Sequence, residues 1–173
     1  KDSKLSSRLL QTMSRIKNMD TTSARGERNV AIGISTPDGK LQLKGFDFNP
    51  KAPFKGVLFA PYTLDTGTGE VLIPNFIPIE QVQYPQGATH MSFQSAAVLV
   101  DFETGLSASV YSPIENIPIS LTNTSVTLTP TSVPTGTGVQ LFLILISFYQ
   151  EVNGAQYSLK NEEFNVLHVL EVV

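Results

Sequence analysis

The sequence predicts a mainly β protein: an antiparallel β-sandwich of about eight to ten strands, preceded by one amphipathic α-helix. Two observations carry this prediction. From Val30 onward, apolar runs of strand length alternate with turns rich in Gly, Pro, Asn and Asp, whereas before residue 20 the apolar residues recur with a helical period. A chain of 173 residues fits one domain with its own core. We therefore divide it into an N-terminal helix with its connection, residues 1–28, and a single sandwich domain, residues 29–173.

The helix is predicted over residues 3–19, and its apolar residues fall on one face. This helix stripe consists of Leu5, Leu9, Leu10, Met13 and Ile16. Such a stripe packs against the core of its own domain or against a partner. It lacks the aromatic anchors that are typical of helices lying on membranes. The polar residues that begin at Asp20 end the helix.

The charge is divided unevenly along the chain. Residues 1–28 hold seven basic and three acidic residues, a net +4, and the remaining residues hold five Lys and twelve acids, a net −7. We call the following set the basic arm: Arg8, Arg15, Lys17, Arg25 and Arg28. A basic arm beside an acidic body docks onto that body, onto a neighbouring copy or onto an anionic polymer.

After the arm, the pattern predicts strands in succession. Residues 30–34 form the first, the sequence Thr-Pro-Asp-Gly at 36–39 forms a turn, and residues 41–48 return with a bulge near Gly45. The later predicted strands cover residues 56–60, 62–64, 70–73, 90–102, 106–111, 126–128, 139–151, 155–159 and 164–173.

Two of these later segments make specific predictions. Residues 139–151 lack polar alternation at their centre, so both faces of that strand should be covered, one by the sandwich interior and the other by the helix or another subunit. Asn153-Gly154 predicts a tight hairpin directly after it. The apolar terminal strand, with Phe164, Val166, Leu170 and Val172, pairs in its own sheet or completes the sheet of a neighbour.

The residues that usually carry catalysis are scarce. The chain has no Cys and only two His, so the sequence predicts no metal site, no cofactor and no catalytic residues. His168 reads as a satisfied histidine of the core or sheet. One enzymatic alternative remains: Asp65-Thr66-Gly67 matches the loop of aspartic peptidases, which need a second Asp, here from a dimer. The apolar-apolar-Gly element that follows this loop in those enzymes is missing, and the same residues also make an ordinary hairpin turn.

The sequence also bears on two kinds of binding, to glycans or other ligands and to nucleic acids. Tyr84 and Tyr111 lie near predicted loops, where exposed aromatic rings stack on sugars, so a glycan- or ligand-binding module is the alternative function. Nucleic-acid binding is not expected, because the basic residues cluster in a helix without aromatic residues. No apolar run is long enough to span a membrane.

Two stretches of the chain carry a resemblance to other sequences. They are residues 5–48, which include Asp20-Thr21-Thr22, Ala24-Arg25-Gly26 and Gly45-Phe46-Asp47-Phe48, and residues 85–102, from Pro85-Gln86-Gly87-Ala88-Thr89-His90 to Val100-Asp101-Phe102. Together they cover 62 of the 173 residues, and they resemble a group of uncharacterised proteins from Bacteroidota. The resemblance implies a bacterial source, and the group has no assigned activity to carry over.

These observations favour a non-enzymatic structural subunit. We expect it to assemble with copies of itself or with a partner protein into a surface filament, appendage or shell. The split charge, the helix stripe and the apolar terminal strand supply candidate contacts, and heterologous contacts of this kind propagate. The low content of charged residues, 16%, favours an extracellular or cell-surface location.

Overall fold

The computed structural model describes residues 4–173, with every side chain among them except those of residues 160 and 161. Residue 3 of the predicted helix lies outside this range. The helices in the described part are α1 (Leu5–Asn18), α2 (Val30–Ser35), α3 (Pro37–Leu43), α4 (Phe54–Val57) and α5 (Pro78–Gln81), with a 3-10 helix at Leu159–Glu162. The strands are β1 (Thr63–Leu64), β2 (Val71–Phe76), β3 (His90–Val100), β4 (Ser107–Tyr111), β5 (Glu115–Pro118), β6 (Thr124–Leu128), β7 (Val139–Val152), β8 (Ala155–Ser158) and β9 (Val166–Val172).

The strands form two antiparallel sheets that pack face to face. The smaller sheet has the order β1-β2-β6. In the larger one, β3 and β7 pair along their length at the centre, β4 and β5 follow one another on the free side of β3, and β8 and β9 share the free side of β7. Fully buried residues of both sheets meet in one core, including Ile73, Phe76, Phe93 and Ile146. The predicted mainly β, sandwich-like fold is confirmed.

A layer of helices covers part of the outer face of the larger sheet. Ile16 of α1, Ile34 of α2 and Leu43 of α3 form a second buried cluster with residues of β7 and β9 such as Leu141 and Val169. This explains why the centre of β7 shows no polar alternation: its residues alternate between the core of the sandwich and the helical layer. The prediction that both faces of β7 are covered is confirmed, and helices of the same chain provide the second cover.

The predicted strand at 30–34 is wrong, because all of its residues belong to α2. The predicted strand at 41–48 is wrong over residues 41–43, which form the end of α3. Asn29 caps α2 by accepting the N–H of Ile32 at 2.9 Å, and the Thr36 hydroxyl caps α3 by accepting the N–H of Gly39 at 3.0 Å. Thr-Pro-Asp-Gly is therefore a helix start with Pro at its first position, a sequence that a β-turn shares.

The backbone becomes extended again only after α3, in a short segment of residues 45–48. Gly45, with φ +81°, follows the end of α3, which is the position and conformation that glycine favours after a helix. From there Gly45 N–H donates to Val169 O, Phe48 N–H donates to Leu167 O, and Val169 N–H donates to Phe46 O. The segment thus adds to the free edge of β9 and joins the helical layer to the sheet.

The end of the chain is built into the larger sheet. The predicted Asn153-Gly154 hairpin is confirmed: both residues have positive φ, +52° and +78°, and they connect β7 to β8. β9 pairs antiparallel with β7 on one side and with the 45–48 segment on the other. Of the two alternatives for the terminal strand, the structure has the intramolecular one.

Candidate functional site

The helix stripe packs mainly on its own domain. Ile16 is fully buried, and Met13 packs against the same cluster. Leu5 and Leu9 are half-buried, whereas Leu10 is 72% exposed. The stripe is therefore a core-facing surface over most of its length, and Leu10 is its exposed member.

Arg8 connects α1 to the 45–48 segment. Its two terminal nitrogens, Nη1 and Nη2, donate to the carbonyl oxygens of Asp47 and Phe48 at 2.8 and 2.9 Å. The guanidinium carbon also lies 5.2 Å from the ring centroid of Phe46, within the range of a cation–π contact. This member of the basic arm therefore holds the helix against its own body.

His168, on β9, contacts Asp47 of the same segment through the Asp47 side chain. Its Nδ1 is 2.7 Å from Oδ1 of Asp47, and its ring stacks on Phe54 with centroids 4.6 Å apart. Burial lowers the pKa of His168, against the opposing effect of the Asp47 carboxylate, so the imidazole is neutral at neutral pH and Nδ1–H donates to Asp47. Asp47 Oδ1 also accepts the N–H of Phe54. The prediction of a satisfied sheet histidine is confirmed, and the pair fastens the 45–48 segment to β9.

The rest of the basic arm lies at the C-terminal end of α1 and in the loop to α2. Lys17, Arg25 and Arg28 line a cleft of about 390 Å³ together with Asn18 and Gly26. Among the described residues, no salt bridge involves any of the three cations. Arg15 is exposed and does not line the cleft. The structure thus gathers three of the five basic-arm residues around one cavity, which we call the basic cleft.

A buried carboxylate shapes the loop that forms the basic cleft. Asp20 is fully buried, and its Oδ1 accepts the N–H and hydroxyl of Thr22 and the N–H of Ser23, at 2.9 to 3.1 Å. Its Oδ2 accepts the N–H of Asn29 at 3.2 Å. Hydrogen bonds from Ser23, Thr22 and Asn29 hold the pKa of Asp20 far below its usual value, although burial acts in the opposite direction. The carboxylate therefore stays ionised and fixes both ends of the loop.

The terminal strand offers little surface to a partner. Val166 is fully buried, Leu170 and Val172 are 5% exposed, and Phe164 packs against the sandwich core. Because β9 is paired on both sides, these residues are part of the domain interior.

Asp65 lies in the loop between β1 and β2. It is exposed, and its Oδ1 accepts the N–H of Gly67 at 2.8 Å, while Gly69 N–H donates to the Asp65 carbonyl. This is the geometry of a hairpin turn, the structural alternative that the sequence left open beside the peptidase loop.

A surface that the sequence did not single out is the outer edge of β4. Asp101 N–H donates to Leu106 O and Ser112 N–H donates to Ser95 O, so the even-numbered residues of β4 direct their backbone groups toward β3. Ser107, Ser109 and Tyr111 consequently direct theirs away from the sheet. Within the described residues, β4 pairs with no strand other than β3, and these outward groups have no protein partner.

The residues of β4 differ in charge and in proline content from the residues that follow the strand. β4 has neither a charged residue nor a proline, the two features that commonly protect sheet edges, whereas the stretch that follows contains Pro113, Glu115 and Pro118. Apolar side chains flank β4: Leu106 is 71% exposed and Ile114 is 61% exposed. The uncharged run at residues 107–111 is the sequence signal that could have identified this edge, but only the topology shows that the strand lies there.

The two aromatic residues considered for glycan binding differ in their exposure to solvent. Tyr111 is 56% exposed on β4, whereas Tyr84 packs against the sandwich core. In the described part of the chain, no three His, Cys, Asp or Glu side chains are grouped closely enough to hold a metal ion. No helix among the described residues has the length and apolar character needed to cross a membrane.

The sequence and fold were compared with models of protein families, with curated proteins and with solved structures, and no match was found. The two strongest candidate sites are the open edge of β4 and the basic cleft.

Proposed function

We propose that this protein is a non-enzymatic structural subunit that assembles with copies of itself, and that the outer edge of β4 is the first contact. The observation that supports this proposal is the unpaired, uncharged edge formed by Ser107, Ser109 and Tyr111. An edge of this kind is a template for another strand. The larger product is a surface filament, appendage or shell.

The occupant of the edge is β4 of a second copy, because the strand is complementary to itself. In an antiparallel pair centred on Ser109, residue 109 faces residue 109 of the other copy, and residue 107 faces residue 111. All three positions direct N–H and C=O outward, so each facing pair exchanges hydrogen bonds in both directions. The strand has no charge that would repel its copy.

The flanking apolar residues add to this contact. Antiparallel pairing brings Leu106, which precedes β4 in one copy, toward the end of the strand where Ile114 follows in the other. Both side chains are mostly exposed in the single chain, so burying them on association is favourable. The pairing is two-fold and closes on itself, so growth into a filament or shell takes a second contact between dimers.

Charge substitutions at the two-fold position test the proposal. Because residue 109 faces its own copy, Ser109→Lys and Ser109→Glu each place like charges opposite one another, and each should weaken the dimer by about tenfold or more. A mixture of the two variants should form heterodimers, since the charges are then opposite. Sedimentation velocity over a range of concentrations measures all three samples.

A matched control uses the same residue type on the other side of the same sheet. Ser158 is an exposed serine on β8, and Ser158→Lys should leave self-association unchanged. Hydrogen exchange adds a residue-level readout: the amide of Ser109 should become protected only at high concentration, whereas those of Ala108 and Val110 are protected throughout. A wild-type chain that stays monomeric at millimolar concentration, or equal losses in Ser109→Lys and Ser158→Lys, contradicts the proposal.

A further inference from the structure

The basic cleft has features that neither the fold nor the proposed assembly requires. Three exposed cationic residues, Lys17, Arg25 and Arg28, line a volume of about 390 Å³. That volume is within the range of sites that hold small molecules.

Its positive charge is not neutralised by ion pairs within the described residues, where no salt bridge reaches Lys17, Arg25 or Arg28. Asp20, an acidic residue at the start of the loop, accepts hydrogen bonds from Thr22, Ser23 and Asn29 through its carboxylate oxygens. Glu27 belongs to the same loop but does not line the cavity. Lys17 also lies in the last turn of α1, where a cation is favourable for the helix dipole, but this role does not explain the two arginines.

The backbone brings the two arginines to the cavity. Residues 24–27 form a four-residue turn in which Glu27 N–H donates to Ala24 O at 3.0 Å. Gly26 is the third residue of this turn, and its φ of +99° is one that side-chain-bearing residues rarely adopt. Apart from Gly26 and its two neighbours in the chain, no residue has an atom within 4 Å of the place where a Cβ would stand on Gly26, so there is open space beside this residue.

The loop is held in this shape before any ligand arrives. Asp20 ties Thr22 and Ser23 at the start of the loop to Asn29 at its end, with Arg25 and Arg28 between them. Ordering the loop on binding therefore costs less than it would in a free segment.

We infer that the basic cleft binds a phosphorylated or sulfated anion that carries at least two negative charges. Guanidinium groups match the oxygens of such groups in bidentate pairs, and two arginines with one lysine balance a charge of about −3, as in pyrophosphate. Asn18, whose side-chain amide can donate hydrogen bonds, also lines the cleft. The anion is either a small phosphorylated molecule or a segment of a sulfated glycan with two or more sulfate esters, and both present tetrahedral oxyanions to the guanidinium groups.

Calorimetric titration of the full chain at an ionic strength of about 0.15 M tests the inference, with inorganic pyrophosphate as the first probe and a short sulfated oligosaccharide as the second. Saturable binding of one equivalent of either probe is the expected result, and the preferred probe identifies the source of the oxyanion. Arg25→Gln and Arg28→Gln should each weaken binding by about tenfold.

Arg15→Gln is the matched control, because Arg15 is an exposed arginine of the same basic arm that does not line the cleft. It should change affinity by less than about twofold, because residues two apart on a helix do not face each other and salt screens the remaining interaction through solvent. In amide NMR spectra, shifts on titration should concentrate at residues 17–18 and 25–28. Absence of saturable binding of both probes, or an equal loss of affinity in Arg15→Gln and Arg25→Gln, overturns the inference. Unchanged spectra outside the loop establish that the variants remain folded.

Discussion

Replacing His168 with Phe should lower the free energy of unfolding at neutral pH by about 1–2 kcal/mol. Phe keeps a ring to stack on Phe54, whose centroid lies 4.6 Å from that of His168, but it removes the Nδ1–H that donates to Asp47 at 2.7 Å. The expected loss of stability lies toward the low end of the range for a hydrogen bond to a charged group, because the Asp47 side chain is 25% exposed and still accepts the N–H of Phe54.

The pH dependence of this difference follows from the direction of the pKa shift. Burial lowers the pKa of His168 below its usual 6.5, so protonation of the imidazole favours the unfolded chain. The stability that neutral His168 contributes is fully present above pH 6.5 and is lost as the pH falls below it. The difference between wild type and His168→Phe should therefore shrink as the pH falls from 7.5 to 5.5.

Urea denaturation at a series of pH values, followed by circular dichroism, measures this difference. His90→Gln removes the other histidine of the chain and should leave the gap between wild type and His168→Phe in place. A gap that widens as the pH falls would mean that the imidazolium is stabilised by Asp47 more than it is penalised by burial, and our reasoning would be refuted. Adding Asp47→Asn to each chain completes a cycle, whose coupling energy should be about 0.5–3 kcal/mol.

Three further predictions concern the helical layer, and denaturation monitored by circular dichroism checks each. Ile16→Ala should cost about 2–5 kcal/mol because Ile16 is fully buried, whereas Leu10→Ala, at an exposed site, should change stability by no more than about 0.5 kcal/mol; equal effects would contradict the packing of α1. Gly33→Ala should destabilise despite the helix propensity of Ala, since its Cβ would lie 2.0 Å from the Ile16 carbonyl oxygen, and a stabilised variant would refute this close approach. Asp20→Asn should lower the free energy of unfolding at neutral pH. Because the pKa of Asp20 is lowered from 3.8, the difference from wild type should disappear only as the pH falls below about 4. A difference that already shrinks at pH 6 would contradict an ionised buried carboxylate.

The proposals about the β4 edge and the basic cleft can fail separately. Self-association depends on backbone groups around Ser109, and anion binding depends on Arg25 and Arg28. If the chain dimerises but does not bind the anion, only the proposal about the β4 edge stands. If it binds the anion but stays monomeric, only the inference about the basic cleft stands. If both hold, pyrophosphate should not change the affinity of the dimer, and the Ser109 substitutions should not change the affinity for pyrophosphate.

The regions in which the sequence misled are those where short-range pattern was ambiguous. Residues 30–34 are a short apolar run, which suits a strand or a buried helix equally, and the capping roles of Asn29 and Thr36 decide in favour of helices. By contrast, Asn153-Gly154 requires two positive φ angles, a local demand that few other structures meet, and its hairpin was predictable.

The candidate sites, too, were predictable from the sequence only in part. Which residues of the basic arm surround a cavity depends on the turn at residues 24–27 and on the buried Asp20, and nothing in the spacing of Lys17, Arg25 and Arg28 required them to line one cleft. The charge imbalance itself, +4 against −7, was evident from composition.

The sequence by itself determined the mainly β architecture, the amphipathic character of α1 and the segregation of charge, because periodicity and composition are properties of short windows of chain. Only the tertiary structure decided that His168 meets Asp47, 121 residues earlier in the chain, and that β4 rather than β9 lies at an open edge. Such contacts depend on strand order and register, which are selected by burial across the whole domain and leave no mark in the local pattern.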